Sequence, residues 1–226
     1  METLEKHWKL MMGAFLALVV IGLGVIGAIY VGQNKELKAQ EDYFIIEKNY
    51  LEAVTPPAQN SKDPTKAEAP KDLTFAKTGF ENIITKYPKT KAAQMAALYL
   101  AKIYSSEKND QKALDILQKN MSSSSDLISA LIQQKVGQMQ ADLGKCDEAI
   151  ATWEKIIKNS SIEFMHSEVK IQQALCYEQN KDYKKAEEIL TNVANQKSDA
   201  QNPASGTGEQ AEKYLRLLRF QKASGS

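Results

Sequence analysis

The sequence is poor in the residues that most chemistry needs. Its 226 residues hold two histidines, His7 and His166, and two cysteines, Cys146 and Cys176. Metal sites and general acid–base catalysis draw heavily on those types, so no catalytic, metal-binding or cofactor role is expected. A phosphate loop is missing too: Gly144-Lys145 has neither the upstream glycine spacing nor the following Ser or Thr of one. No charge dominates, since 29 basic residues face 28 acidic ones for a net charge of +1. Phosphate contacts carry most nucleic-acid affinity and call for a basic stripe. None is visible, and nucleic acid is not an expected partner. Proline is scarce, six in all, and four of the six fall between Pro56 and Pro70.

One long apolar run is present. From Met11 to Val31 no charged residue interrupts "MMGAFLALVVIGLGVIGAIYV". A helix rising about 1.5 Å per residue would cover roughly 32 Å there, enough for a hydrocarbon core. A cleaved signal peptide would have a shorter apolar region ending in small residues of the A-x-A kind, and no such site follows Val31. Residues 11–32 therefore read as an uncleaved transmembrane helix behind a short tail, residues 1–10. Lys6 and Lys9 before the run balance Lys35 and Lys38 after it, so the positive-inside rule hardly orients it. A short tail most simply stays in the cytoplasm while the large C-terminal part crosses. Gly24, Ala28 and Gly32 fall at steps of four on one face, where small residues let membrane helices pack closely.

Residues 33–54 read as a helix leaving the membrane, with an apolar stripe that includes Tyr43, Phe44, Ile46, Tyr50, Leu51 and Val54. Thr55 to Asp72 holds four prolines and no large apolar residue, the composition of an extended linker. Residues 73–221 then read as helical almost throughout. Breaks fall at "KYPKT", "SSEKND", "NMSSSSD", "LGKCD", "KNSSIE", "QNKD" and "KSDAQNPASGTG". Ser125 or Asp126 and Ser161 are expected helix N-caps. "EQAEKYLRLLRFQ", Glu209 to Gln221, is expected to form a capping helix before a tail at residues 222–226.

"DLGKCDEAIATWEKII", Asp142 to Ile157, has the look of chemistry, with a cysteine beside two carboxylates. Its spacing belongs to a different pattern. Ala76 is followed four residues on by Phe80, Ala113 by Leu117, Ala149 by Trp153 and Ala186 by Leu190. A small residue precedes each of the last three alanines by twelve: Ala101, Gly137 and Ala174. Tyr104 and Tyr177 stand three residues after the outer two, and Gln140 holds that place in the middle. Small residues let antiparallel helices approach, and the large side chain fills the adjoining gap; stacked pairs bury what one pair cannot.

On these residues, with Pro88 closing the first unit, the chain resembles the tetratricopeptide repeat family. The fold class expected is all-α, a tetratricopeptide-like helical-repeat solenoid behind a single N-terminal transmembrane helix. The first unit has its second helix at Ala76 and Phe80, and its first would have to be the post-membrane helix across the linker. Cys146 opens a second helix as Tyr183 does one repeat later, which reads as core packing; in an oxidising compartment a Cys146–Cys176 disulfide is the alternative. His166 reads as a boundary residue near a helix start.

In layout the chain is also similar to bacterial inner-membrane proteins with one N-terminal span and a periplasmic repeat domain, described as ancillary subunits of the Sec translocon. That resemblance implies partners among translocon, chaperone or envelope-assembly components. The repeat resemblance implies that first helices line a binding face, with Met95, Leu98 and Lys102, then Leu131, Gln134 and Gln138, then Ile171, Leu175 and Glu178 pointing outward. The sequence departs from relatives that grip a terminal carboxylate with lysines and asparagines, because Leu98 and Gln134 stand where such groups would be needed. The expectation is a membrane-anchored protein-interaction scaffold that is not an enzyme. A self-associating structural membrane protein and a cytosol-facing targeting receptor stand as its alternatives.

Overall fold

The computed structural model describes residues 2–55, 72–122, 124–196 and 205–224, and the proline-rich stretch from Pro56 to Lys71 lies outside them. The elements are α1 (Glu2–Val54), α2 (Thr74–Lys86), α3 (Lys91–Ser106), α4 (Asp110–Asn120) and α5 (Leu127–Asp142). After these come α6 (Cys146–Ile157), a 3-10 turn (Ser160–Met165), α7 (His166–Gln179), α8 (Tyr183–Ala194) and α9 (Ser205–Ser224). No strand occurs among the described residues. The chain forms two compact units, residues 1–93 and 94–226, with the division inside α3.

In the first unit the apolar run and the helix beyond it are one uninterrupted helix of 53 residues. No proline falls in "VGQNKELKAQED", and the helix runs on through Gly32 and Asn34, the residues there that could have ended it. Its C-terminal part packs on α2. Tyr43 and Tyr50 of α1 lie with ring centroids 6.2 and 6.0 Å from that of Phe80. A Cβ at Gly79 would fall 2.6 Å from Ile46 Cδ1, so a bare backbone lets the two helices close up there. Asp42 Oδ2 accepts from the Tyr87 hydroxyl at 2.7 Å and from Lys86 Nζ at 3.0 Å.

The start of α3 is fastened to α1 as well. A helix N-terminus leaves amide protons without partners. Here Glu36 accepts from the amides of Lys91 (2.9 Å) and Ala92 (3.2 Å), and Thr90 Oγ1 accepts from Ala93 (3.1 Å). Lys35 Nζ donates to the Pro88 carbonyl at 3.2 Å.

The second unit repeats at the backbone as well as in the side chains. Lys108, Gly144 and Lys181 take left-handed φ values of 60°, 75° and 63°. Each sits at the same place in a Schellman closure. The following amide donates back to Tyr104, Gln140 or Tyr177, in every case at 2.8 Å. Glycine enters this conformation freely, whereas each lysine costs about 1–2 kcal/mol. Second helices then open at once, with Asn109 and Asp182 accepting from the amides of Lys112 and Lys185.

Ala113, Leu117, Ala149, Trp153, Ala186 and Leu190 are all fully buried, as the repeat pattern requires. Trp153 sits among Ala130, Ile156, Met165 and Val169. Beyond it Ile171, Ala174 and Leu190 share a core with Ala211, Leu215 and Leu218 of α9. That last helix extends past the expected capping segment at both ends, from Ser205 to Ser224. Glu187 of α8 receives Arg219 Nε and Lys222 Nζ, each at 2.9 Å. Those donors, Lys222 first, hold its carboxyl below the ordinary glutamate range.

Two expected caps resolve differently. Asp126 caps α5 through the Ser129 amide at 2.9 Å. At the next break Asn159, rather than Ser161, is the acceptor, taking the Ser161 amide at 3.1 Å. Its side-chain Oδ1 accepts from the residue two ahead, as in an Asx turn.

The middle unit carries the tightest fit. A Cβ at Gly137 would fall 2.6 Å from Trp153 Cε2, inside the indole. Trp153 Nε1 meanwhile donates to the Gln134 carbonyl at 3.2 Å. Gly137→Ala is therefore expected to destabilise the domain by about 1–3 kcal/mol, the usual range for overpacking. Urea unfolding followed by Trp fluorescence measures it; a midpoint unchanged from wild type contradicts this packing.

Candidate partner-binding surface

The first helices α3, α5 and α7 supply the candidate surface. On α3, Met95 and Leu98 are half-buried and Lys102 is exposed. On α5, Leu131 is 37% exposed, Gln138 is exposed and Gln134 is half-buried. Helices α5 and α7 are in contact, so their outward residues lie on neighbouring helices. On α7, Leu175 and Glu178 are half-buried.

Ile171 is not on this surface. It is 1% exposed and packs in the core with Ala174 and Leu190. Register explains the difference. Met95 and Leu131 each stand six residues before the small residue of their unit, Ala101 or Gly137. Six before Ala174 is Glu168, which is exposed. Ile171 stands three before it, where Leu98 and Gln134 already turn half inward. The row is thus Met95, Leu131 and Glu168, flanked by Lys102, Gln138 and Leu175 one residue after each small position. The offset from the small residue was the signal available, and residue type hid it.

Tyr104 and Tyr177 each lie under a lysine eight residues on, Lys112 at 4.3 Å and Lys185 at 5.0 Å from the ring centroid. Such cation–π contacts contribute about 0.5–1 kcal/mol at exposed sites. In the middle unit both partners are exchanged together. Gln140 accepts from Thr152 Oγ1 at 2.9 Å and donates to Glu148 Oε2 at 3.3 Å. The pair of positions keeps its role with different chemistry, so a buried glutamine is satisfied where tyrosine is expected.

Cys146, at the head of α6, and Cys176, on α7, form a disulfide with Cα atoms 5.1 Å apart. Both are 2% exposed within the core around Trp153. Both readings of Cys146 hold at once, since it packs in the core and is disulfide-bonded, and no nucleophilic thiol remains there. Gly144 makes the left-handed turn and Asp147 and Glu148 occupy the first turn of α6, where a negative side chain meets the positive end of the helix dipole. His166 begins α7, and its Nε2 lies 3.0 Å from the Asn159 carbonyl. Among the described residues no group of three or more His, Cys, Asp or Glu is placed to hold a metal ion.

Gly24, Ala28 and Gly32 lie on α1, and nothing outside the helix stands within 4 Å of a Cβ at either glycine. In the first unit a groove of about 520 Å³ runs between α1 and α2, with Ile45, Ile46 and Ile83 along it and Asp42, Lys86 and Tyr87 at one end.

A helical repeat with small residues at each helix crossing, a large side chain opposite and an outward row on the first helices defines an interaction scaffold. The chain belongs to the tetratricopeptide repeat-like domain family, whose model matches residues 4–170, from within α1 to within α7. Two crystal structures of a Podosopora anserina putative kinesin light chain with nearly identical TPR-like repeats share the fold. At 13% identity they superpose with TM-scores of 0.51 and 0.50, over 84% of this chain and 97% of theirs. No curated protein matches the chain.

The disulfide closes a loop with a sequence separation of 30. On the chain-entropy estimate such a loop contributes about 3–4 kcal/mol. Reduction, or Cys146→Ser with Cys176→Ser, is expected to lower the urea midpoint of the repeat domain accordingly. Equal midpoints for oxidised and reduced protein would refute that contribution.

Proposed function

We propose that the chain is a single-pass membrane scaffold whose repeat domain holds other proteins. The domain lies in a bacterial periplasm, alongside the translocon or an envelope chaperone or assembly complex. The observation that carries this reading is α1. It is long and apolar enough to cross a membrane, and the same helix, with no break, fastens α2 and the head of α3. Residues 11–32 of this helix form the span. A scaffold built this way has its first repeat mounted on its own anchor.

The disulfide supports this side of the membrane. Disulfides persist in oxidising compartments and are rare in the cytosol, which favours the periplasm and weighs against a cytosol-facing receptor. The outward row mixes Met95, Leu131 and Leu175 with Lys102, Gln138 and Glu168. Apolar anchors set among polar groups suit an extended or helical polypeptide segment better than a small ligand.

An alkaline phosphatase fused after Ser226 tests the placement, because that enzyme is active only once exported. The expected result is full activity, with the fusion resisting alkaline carbonate extraction from membranes. An inactive fusion overturns the periplasmic placement, and extraction by carbonate overturns the anchor.

A further inference from the structure

Charge changes sign along the outward row of the first helices. The sequence of α3 contains lysines and no acidic residue, and Lys102 stands exposed one residue after its small position. In α5 the charges balance, with Lys135 half-buried and Asp142 exposed. In α7 the row itself holds Glu168, exposed, and Glu178 lies half-buried near it. Lys170 does not offset them on this face. It stands four residues before the small Ala174, and the residues at that offset in the other units, Ala97 and Gln133, are buried.

Between the charged ends the face offers side-chain amides. Gln134 and Gln172 are half-buried, and neither side chain has a hydrogen-bond partner among the described residues. Gln138 is exposed and accepts from Lys135 Nζ at 3.2 Å, which leaves its amide NH2 to donate. A glutamine side chain both donates and accepts. An extended backbone needs such groups, since its N–H and C=O have no internal partners, whereas a helix satisfies its own. Leu131 and Leu175 supply apolar contacts beside these amides.

We infer that the row holds an extended polypeptide segment that is itself polarised, acidic where it meets α3 and basic where it meets α7. Apolar side chains lie between the two charged ends. The inference rests on the scaffold reading given above and names the chemistry of what the scaffold holds. Packed helices lie about 8–10 Å apart, so the two steps from α3 through α5 to α7 cover roughly 16–20 Å. An extended chain rises about 3.3 Å per residue, which sets the acidic and basic side chains about five or six residues apart. A segment of one charge throughout would meet like charge at one end and be disfavoured there.

Calorimetric titration of the detergent-solubilised full chain with short peptides tests the inference. The probe is Glu-Thr-Leu-Thr-Leu-Thr-Lys with both termini blocked, so that only side chains carry charge. Its two companions carry glutamate at both ends or lysine at both ends. The mixed peptide is expected to bind about threefold to tenfold more tightly than either companion at low salt, the scale that exposed ion pairs allow. That difference is expected to vanish in about 1 M salt. Lys102→Glu is expected to move the preference to the two-lysine peptide, and Glu168→Lys to the two-glutamate peptide, with thermal melts unchanged. Equal affinities for the three peptides, binding of none, or a preference that neither substitution moves overturns the inference. So does tighter binding of a helical peptide of about fourteen residues whose end charges span the same distance. Co-isolation from membranes separates the two failures. Proteins still recovered with the full chain remove the polarised segment alone, whereas no recovery removes the scaffold reading with it.

Discussion

The indole of Trp153 occupies the space that any side chain at Gly137 would need, and the repeat stack depends on that exchange. A helix pair can approach only as far as its side chains allow. With a bare backbone on α5, the largest side chain in the unit buries completely and still places its one polar atom on the Gln134 carbonyl. Around it the core takes in α6, the 3-10 turn and α7, and the disulfide joins α6 to α7 within that core. What resembled a reactive cysteine beside two acids is the corner of this packing. The cysteine is oxidised, and the acids begin a helix.

The first unit applies the same logic to a helix with a second duty. Gly79 admits Ile46, Phe80 receives two tyrosines, and Glu36 takes the two first amides of α3 that its own cap, Thr90, leaves free. Those contacts come from α1, so α2 and the head of α3 pack directly on the helix that carries the apolar run. The helix that carries the apolar run is part of the packed structure.

Much of this was legible in the sequence. The alanine and large-residue pairs fixed the second helices because that spacing has one packing solution. Asp126, Gly144 and Cys146 each fell at the boundary expected of them. Two features were hidden. The exposed row was misassigned at Ile171 because an isoleucine beside a groove and an isoleucine in a core differ only in register. The unbroken α1 was divided at Gly32 because apolar composition ends there, while helix propensity does not. Composition reports the solvent around a helix; it does not report where the helix stops.

The central claim is that the outward row on the first helices holds other proteins. Its most direct measurement compares what co-isolates with the membrane-solubilised full chain and with a variant carrying Leu131→Glu and Gln138→Glu, two exposed positions on α5. The account predicts that specific proteins recovered with the wild type disappear from the variant while the thermal melts coincide. Identical recoveries from both proteins, or no recovery from the wild type, would contradict it.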